Sequence, residues 1–267
     1  MKKMAFIYDF DHTLSPKDMP EFHLLERLGY KDPKQFWQKC SEYSDAYNMD
    51  GILSYMYLLA KEDPDMTQDQ LVAEGKYLEY YPGVVNWFKR MNEYARERGI
   101  ELEHYIISSG LKDIITGSSI AHEFKKIYAC SYYYDEDGKA KWPARVVNYT
   151  TKTQYLFRIN KGVLDERNDA DLNNSTPDDS KYIPLSRMVY FGDGFTDVPS
   201  MKVVSQSGGT TIAVFADLDN DPAKQLHKDK RASFVAKADY RSGSRIDSIC
   251  KKLIDVKAAE IKLHKYR

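Results

Sequence analysis

Four short apolar runs are spaced along the chain, and each has the length of a buried β-strand. They are MAFIY (4–8), HYIIS (104–108), RMVYF (187–191) and TIAVF (211–215). Between the first two, residues 84–95 carry apolar side chains at helical spacing, and Gly99 is a suitable stop for that helix. Strands that alternate with helices predict an α/β fold, with a mostly parallel, Rossmann-like sheet and helices on both of its faces.

One long segment departs from this alternation soon after the first strand. Residues 15–82 contain no convincing β-strand pattern, and their apolar residues recur at helical spacing. We therefore expect a helical cap domain at 15–82, inserted into a core domain that consists of residues 1–14 and 83–267.

Two further segments interrupt the pattern later in the chain. Residues 126–150 alternate between apolar and polar positions and turn at Asp137-Gly138, which predicts a β-hairpin. The turn lacks the ligand spacing and terminal glutamate of an EF-hand, so it does not indicate a calcium loop. Residues 165–183 are acidic, polar and poor in apolar side chains, as expected for a surface excursion.

Composition excludes several classes of protein. The chain has 267 residues, 42% of them hydrophobic, and a net charge of −1. A general nucleic-acid binder would show a basic excess, so we expect no nucleic-acid partner. No apolar run approaches the roughly 18 residues of a membrane span, and the N-terminal run is shorter than the apolar core of a signal peptide. Three widely spaced cysteines favour a reducing compartment, and we expect a cytoplasmic protein.

Acidic and hydroxyl side chains follow the ends of three predicted strands. They are Asp9 and Asp11 after the first, Ser108 and Ser109 at the second, and Asp193 and Asp197 after the third. Because the carboxyl ends of parallel strands meet at one edge of a sheet, we expect these side chains to converge there. Four carboxylates packed together repel one another unless a cation lies among them. Oxygen ligands of this kind predict a Mg²⁺ site that also accepts a substrate phosphate.

The two aspartates after the first strand suggest two different catalytic roles. In a strand that ends Asp-x-Asp, both side chains point to the same face. Asp9 can attack phosphorus and form an aspartyl-phosphate, while Asp11 donates or removes a proton. Thr13 and the backbone that follows can bind phosphate oxygens through hydroxyl and N–H groups.

The order of these motifs resembles that of a known family. DFDHTL (9–14), IISSG (106–110), a lysine that opens a later helix and GDGFTD (192–197) match, in order, the four motifs of the haloacid dehalogenase (HAD) superfamily. The resemblance runs through nearly the whole chain. A helical insert directly after the first motif is similar to that of the phosphoserine-phosphatase-like branch.

This resemblance implies specific roles for the acidic residues. Asp9 would be the nucleophile, and Asp11 would protonate the leaving alkoxide and then deprotonate the hydrolytic water. Mg²⁺ would be held by Asp9, by the backbone carbonyl of Asp11 and by Asp193. Asp197 would position water or the ligands of the metal.

The resemblance also implies which groups bind the phosphoryl oxygens. Ser108 would donate a hydrogen bond to the phosphoryl group, with Ser109 as the alternative. A lysine at the start of a helix would supply positive charge. Lys152 follows two threonines that are good N-cap residues, so it is our choice, and Lys161 is the rival.

A cap that closes over such a site favours a small phosphomonoester over a folded protein or a duplex. If the substrate were phosphoserine, Glu21 and Arg27 of the cap are candidates for its amine and carboxylate. The expected activity is a Mg²⁺-dependent phosphatase that acts on a small phosphorylated metabolite. A phosphotransferase or mutase of the same fold is the alternative, and a non-catalytic binding module is a third possibility. The sequence indicates no oligomeric state.

Overall fold

A seven-stranded sheet forms the centre of the computed structural model, which describes residues 2–177, 180–216, 225–226, 228–229, 231–263 and 266. Its strands, within the described residues, are β1 (Lys2–Tyr8), β2 (Ile100–Leu111), β3 (Lys126–Tyr134), β4 (Ala140–Arg145), β5 (Met188–Gly192), β6 (Thr210–Phe215) and β7 (Phe234–Lys237). Their spatial order is β4-β3-β2-β1-β5-β6-β7. All neighbouring strands are parallel except β3 and β4.

Helices connect most of these strands. In the described part of the chain the α-helices are α1 (Leu24–Arg27), α2 (Pro33–Tyr47), α3 (Gly51–Glu62), α4 (Gln68–Glu74), α5 (Val84–Glu97), α6 (Lys112–Thr116), α7 (Thr151–Lys161), α8 (Asp169–Asn173), α9 (Val198–Gln206) and α10 (Arg245–Leu263). None of these helices combines the length and the apolar character that crossing a membrane requires.

The α/β fold predicted from the apolar runs is confirmed. The four runs lie in β1, β2, β5 and β6, and the predicted hairpin is formed by β3 and β4. Two features were not predicted. Strand β3 extends the sheet by pairing in parallel with β2, and the four-residue strand β7 completes the opposite edge. Strand β7 is too short and too little buried for its apolar pattern to be recognised in the sequence.

Helices cover both faces of the sheet. His104 of β2 makes an edge contact with Phe88 of α5, so even-numbered positions of this stretch of β2 face α5. Side chains alternate along a strand, so Ile107 and its cross-strand neighbour Tyr128 point to the opposite face. There Tyr128 stacks on Tyr155 of α7, with ring centroids 4.4 Å apart. Helices α5 and α7 therefore lie on opposite sides of the sheet.

The insert at 15–82 is built from α1 to α4, and its helices begin where the sequence supplies capping side chains. Asp32 accepts a hydrogen bond from the N–H of Lys34 (3.0 Å), and Asp50 accepts one from the N–H of Ile52 (2.9 Å). Thr67 forms a capping box at the start of α4. Such caps each stabilise a helix by about 1 kcal/mol, which matters for helices as short as these.

The chain leaves the sheet and returns to it at neighbouring points. The N–H of Tyr81 donates to the carbonyl of Leu14 (2.9 Å), which ties the outgoing segment to the returning one. Tyr240 holds both segments, because its hydroxyl donates to the carbonyl of Thr13 (2.8 Å) and its N–H donates to the carbonyl of Pro82 (2.7 Å). The exact domain boundaries at 14/15 and 82/83 stay a prediction.

One buried arginine of α7 holds the polar excursion at 165–183 through hydrogen bonds to its backbone. Arg158 of α7 is 2% exposed, and its guanidinium donates to the carbonyls of Asp165 (2.8 Å) and Asn168 (3.2 Å). No residue of α8 is buried, as expected for a surface segment. Residues 178–179 of the excursion lie outside the described residues.

All three cysteines are buried and unpaired, and the cytoplasmic location stays a prediction.

One buried network beneath α5 involves a histidine that the sequence analysis did not single out. The indole N–H of Trp87 donates to the hydroxyl of Tyr8 (2.8 Å), which lies 3.0 Å from Nδ1 of His104. The other ring nitrogen of His104 lies 3.0 Å from Oδ1 of Asn92. A neutral imidazole satisfies both contacts, and burial lowers the pKa of His104 from 6.5 to about 3.

This histidine should make the fold sensitive to acid. The unfolded chain binds a proton at His104 near pH 6.5, whereas the folded chain does so only near pH 3. The free energy of unfolding should therefore decrease as the pH is lowered from 6.5 towards 3. We expect His104→Gln to reduce this slope by up to about 1.4 kcal/mol per pH unit in urea unfolding between pH 6.5 and 4.5. His122→Gln, at a ring that is 75% exposed, is the control and should keep the wild-type slope. An unchanged slope in His104→Gln would contradict the assignment.

Candidate active site

A cavity of about 270 Å³ opens where the carboxyl ends of β1, β2 and β5 meet the helical insert. Its wall on the sheet side includes Asp9, Asp11, Ser108, Ser109 and Asp193, and its wall on the insert side includes Asp18, Pro20, Trp37, Ile52 and Tyr55. The cavity is therefore bounded both by residues that the sequence predicted to converge and by the insert that was predicted to close over them.

Asp9 is fixed at the end of the central strand. Its backbone N–H donates to the carbonyl of Phe191 in β5 (2.9 Å), which continues the pairing between the two strands. Its Oδ1 accepts a hydrogen bond from the N–H of Phe10 (2.9 Å). Its Oδ2 lies 3.1 Å from Nζ of Lys152. The carboxylate is thus held in one orientation, and only 7% of the residue is exposed.

Asp11 is placed by a tight turn that follows the strand. The carbonyl of Phe10 accepts the N–H of Leu14 (2.9 Å), and His12 in the turn has a φ of 56°. One carboxylate oxygen of Asp11 accepts the N–H of Met19 (2.9 Å), the first residue of the insert's opening 3₁₀ turn. A Cβ at position 110 would lie 2.1 Å from Cε of Met19, the end of a flexible side chain, and 2.9 Å from Oδ2 of Asp11. A larger residue at this position would therefore require both of these side chains to shift.

Lys152 lies at the start of α7 and is completely buried. Its ammonium group is 3.1 Å from Asp9 and 2.8 Å from Oδ1 of Asp197. The expected N-cap is wrong in detail, since the side chain of Thr150 makes no capping bond. Oδ1 of Asn148 accepts the N–H of Thr151 (3.2 Å) instead. The start of α7 is nevertheless where the sequence predicted it.

The rival lysine lies at the other end of the same helix. Nζ of Lys161 donates to the carbonyls of Leu172 (2.5 Å) and Asn174 (2.6 Å), near the C-terminal end of α8. It thus anchors the polar excursion, and it does not line the cavity. The structure brings Lys152, and not Lys161, to the predicted acidic cluster.

The segment after β5 contributes the remaining carboxylates. Asp9, Asp193 and Asp197 each offer an oxygen within 4.8 Å of the others. Asp197 is fully buried, and it accepts a hydrogen bond from the hydroxyl of Tyr190 (2.8 Å) as well as from Lys152. A Cβ at Gly192 would lie 2.2 Å from Oδ2 of Asp197, so the motif requires a glycine there.

Two serines and a threonine were predicted to bind phosphate. Ser108 lines the cavity wall, and its Oγ accepts the N–H of Gly110 (3.0 Å), which leaves its hydroxyl proton free to donate. Oγ of Ser109 is buried without a hydrogen-bond partner, and its residue also lines the cavity. Oγ1 of Thr13 is buried and unpartnered as well, but this residue is not part of the cavity wall.

Electrostatics in the cluster favour added positive charge. Burial raises the pKa of Asp9 to about 6, although the charge of Lys152 opposes the shift. Burial, together with the charges of Asp18 and Asp9, raises the pKa of Asp11 well above its usual range. Burial and the charges of Asp197 and Asp9 do the same to the pKa of Asp193. The acids therefore bind either protons or a cation more readily than isolated carboxylates do.

The donor set fits a hard dication. Asp9, Asp193 and Asp197 supply only carboxylate oxygens, and no cysteine or histidine belongs to this cluster in the described chain. Mg²⁺ prefers such ligands and completes its octahedron with water and substrate oxygens. The carboxylate of Asp11 is not part of the cluster, and the role of its backbone carbonyl as a ligand stays a prediction. The arrangement is suited to a metal site, and the geometry does not identify the metal.

The two candidate substrate residues of the cap lie apart from the cavity wall. Oε1 of Glu21 accepts the indole N–H of Trp37 (2.6 Å), so Glu21 lies directly behind a wall residue. Arg27 is paired with Glu74 (3.2 Å) and Asp63 (2.7 Å). The structure thus connects Glu21 with the cavity through Trp37 and does not bring Arg27 to it.

Several wall residues carried no recognisable signal in the sequence. Trp37 and Tyr55 resemble ordinary core aromatics of the insert, and only the packing of α2 and α3 over the sheet brings them to the cavity. Asp18 lies 3.5 Å from Nε2 of His12, and this contact raises the pKa of His12 to about 9. Tyr190 lies in the middle of a buried strand and gives no hint that its hydroxyl binds Asp197. The sequence did not reveal these roles, because the residues in contact are far apart in the chain or look like ordinary core residues.

Comparison with known proteins supports the fold. No protein-family model matches the chain. An uncharacterised protein of Borreliella burgdorferi is 27% identical to this chain in an alignment that covers 91% of this chain and 93% of that protein. A HAD-family hydrolase from Salmonella enterica serovar Typhi superposes with a TM-score of 0.55 at 16% identity, covering 79% of this chain and 62% of the hydrolase. The chain thus spans less than two thirds of that hydrolase.

A phosphoserine phosphatase covers the chain more completely. It superposes with a TM-score of 0.55 at 16% identity, over 94% of this chain and 99% of that enzyme. The Rossmann-like architecture with a helical insertion, which the pattern of apolar residues predicted, is therefore confirmed as the fold of this protein.

Proposed function

We propose that this protein is a Mg²⁺-dependent phosphatase that hydrolyses a small phosphomonoester through an aspartyl-phosphate on Asp9. The observation that carries the proposal is the contact of Asp9 with Lys152, beside Asp193 and Asp197, at the sheet side of the cavity. A nucleophilic carboxylate, a fixed cation and a set of metal ligands are the groups that phosphoryl transfer requires.

The structural neighbours support the reaction class. They include HAD-family hydrolases and phosphoserine phosphatases, and one of the latter was solved as an analogue of its phospho-aspartyl intermediate. A cytosolic 5′-nucleotidase shares the fold too, so the fold accommodates more than one kind of phosphomonoester.

In the first step a carboxylate oxygen of Asp9 forms a bond to phosphorus as the bond to the leaving oxygen breaks. Asp11 gives its proton to the leaving alkoxide. Burial and the charges of Asp18 and Asp9 raise the pKa of Asp11, which favours the protonated state that a general acid needs. Lys152 and the hydroxyl of Ser108 stabilise the negative charge that is spread over the phosphoryl oxygens.

In the second step water attacks the phosphorus of the aspartyl-phosphate. Asp11, now a carboxylate, takes a proton from that water, and the bond between phosphorus and Asp9 breaks to release inorganic phosphate. Asp9 leaves as a carboxylate, and Asp11 is again protonated. The same residue thus serves as acid and then as base.

Asp9 and Asp193, with the backbone carbonyl of Asp11, would hold Mg²⁺, and Asp197 would orient its water ligands. When bound, the ion supplies positive charge to the phosphoryl oxygens and offsets the repulsion among the carboxylates. Lys152 already neutralises part of that repulsion, because it contacts Asp9 and Asp197 at once.

The proposal predicts release of inorganic phosphate from p-nitrophenyl phosphate in the presence of Mg²⁺ and without any added acceptor. Removal of divalent ions with excess chelator should reduce the rate at least about 100-fold, because the phosphoryl oxygens lose their main counter-charge. Restoring Mg²⁺ should restore the rate. Full activity in chelator would contradict the metal assignment, and phosphate transfer only to an added alcohol would indicate a phosphotransferase.

A further inference from the structure

The wall of the cavity that belongs to the insert is aromatic. Trp37 of α2 and Tyr55 of α3 both line it, with ring centroids 5.9 Å apart and an angle of 66° between the ring planes. We call this pair the aromatic corner. Pro20 and Ile52 extend the same wall with apolar surface. The part of the substrate that faces the insert therefore meets two ring systems set at an angle.

The polar atoms of the aromatic corner are already used within the protein. The indole N–H of Trp37 donates to Glu21 (2.6 Å), and the hydroxyl of Tyr55 donates to the carbonyl of Ser109 (2.7 Å). The corner consequently offers a ligand its ring surfaces rather than hydrogen-bond donors. The faces of such rings carry negative potential, and a hydrogen bond from the indole to a carboxylate increases it.

Acidic side chains outnumber basic ones in the cavity wall. Its wall contains the carboxyl groups of Asp9, Asp11, Asp18 and Asp193. Its only basic side chain in the described chain is His12, which is paired with Asp18. No lysine or arginine among the residues that the structure describes lines the wall, and Arg27 is bound to Glu74 and Asp63 elsewhere in the insert.

Among the described residues of this wall, the only cationic partner for a second anionic group on the substrate is thus His12, and its ring is already paired with Asp18. Burying an unpaired charge is strongly unfavourable, so a carboxylate next to the phosphoester would weaken binding. A cationic group would instead be attracted by the ring faces of the corner and by Asp18. The phosphoserine phosphatases that share the fold are named for a substrate with both an amine and a carboxylate, and only the amine suits this cavity.

We propose that the alcohol part of the substrate carries an ammonium group and no carboxylate, and that the aromatic corner and Asp18 bind this group. The substrate would be the phosphomonoester of a small amino alcohol. The inference rests on the proposed phosphatase function and adds to it the residues that set specificity. Glu21 acts through Trp37 as a positioning residue.

Three probes test the charge requirement, and the first two are equal in size. They are 2-aminoethyl phosphate, n-propyl phosphate, which replaces the ammonium with a methyl group, and O-phosphoserine, which adds a carboxylate. We expect kcat/KM for 2-aminoethyl phosphate to exceed that for n-propyl phosphate at least tenfold, which corresponds to about 1.4 kcal/mol. O-phosphoserine should also be hydrolysed at least tenfold less efficiently than 2-aminoethyl phosphate.

Variants of the wall test which residues carry the selectivity. Trp37→Leu and Asp18→Asn should each lower the ratio of kcat/KM between 2-aminoethyl and n-propyl phosphate at least fivefold. A general loss of stability or alignment would reduce both rates together and leave this ratio unchanged. Tyr47→Leu is the matched control, since Tyr47 is an aromatic residue of α2 that is 67% exposed. It should keep the wild-type ratio.

The outcomes separate this inference from the function on which it rests. Hydrolysis of p-nitrophenyl phosphate with equal efficiency toward 2-aminoethyl and n-propyl phosphate would overturn the inference and leave the phosphatase function standing. A preference for O-phosphoserine would overturn it as well. Failure to release phosphate from any ester would overturn the proposed function itself.

Discussion

Asp9→Asn should lower the turnover of p-nitrophenyl phosphate at least about 10⁴-fold, because the amide cannot form the acyl-phosphate bond. The fold should persist, since the amide oxygen can still accept the N–H of Phe10. The stability of the metal-free protein should change little, because two effects oppose each other. The substitution removes a buried carboxylate whose pKa is raised to about 6, and it also takes one of two carboxylate partners from the buried ammonium group of Lys152. Circular dichroism melts and phosphate release, measured on the same preparation, would check both statements.

Asp11→Asn is the matched comparison for that experiment. p-Nitrophenolate leaves without assistance from an acid, so this variant should still form the aspartyl-phosphate but hydrolyse it slowly. We expect a burst of about one nitrophenolate per active site in Asp11→Asn and no burst in Asp9→Asn. A burst in Asp9→Asn, or turnover near that of the wild type, would show that Asp9 is not the nucleophile.

Lys152→Met should have the second largest effect, on activity and on stability together. The substitution leaves Asp9 and Asp197 buried without the cation that contacts both. Removal of one partner from a buried ion pair typically costs about 3–5 kcal/mol. Loss of the positive charge beside the phosphoryl group should also lower kcat about 10²–10³-fold, when measured at a temperature where the variant is fully folded. Urea unfolding and steady-state kinetics would provide the two values.

Lys161→Met makes the same chemical change on the same helix and serves as the control. Its ammonium group donates to the carbonyls of Leu172 and Asn174, which hold the excursion at 165–183. We expect a loss of stability of about 1–2 kcal/mol and a kcat close to that of the wild type. The opposite result, with Lys161→Met inactive and Lys152→Met active, would transfer the phosphate-binding role to Lys161.

Much of the sheet side of the site could be predicted because it depends on local pattern. An apolar run defines each of β1, β2 and β5, and the residue that follows such a run must lie at the carboxyl edge of a parallel sheet. Asp9, Ser108 and Asp193 therefore reach the same cavity although they are distant in the chain. The lysine was harder to assign, because a helix start is specified by weak capping preferences, and Asn148 fulfils the role expected of Thr150.

The insert shows the opposite case. Its helical character follows from spacing and from capping residues, but the sequence does not state which side of each helix faces the cavity. Trp37 lines the cavity, whereas Tyr47 on the same helix is largely exposed. Arg27 looks like a free binding group in the sequence, and it is neutralised by Glu74 and Asp63.

The sequence alone determined the α/β fold, the helical insert and the order of the acidic motifs. The fold and the insert follow from short-range periodicity, and the motifs follow from the residues next to the strand ends. Only the tertiary structure decided which lysine meets Asp9, that Tyr190 supports Asp197, and that Trp37 and Tyr55 form a corner over the site. These contacts depend on how the insert packs against the sheet. That packing is the sum of many long-range contacts, and no single segment of the chain specifies it.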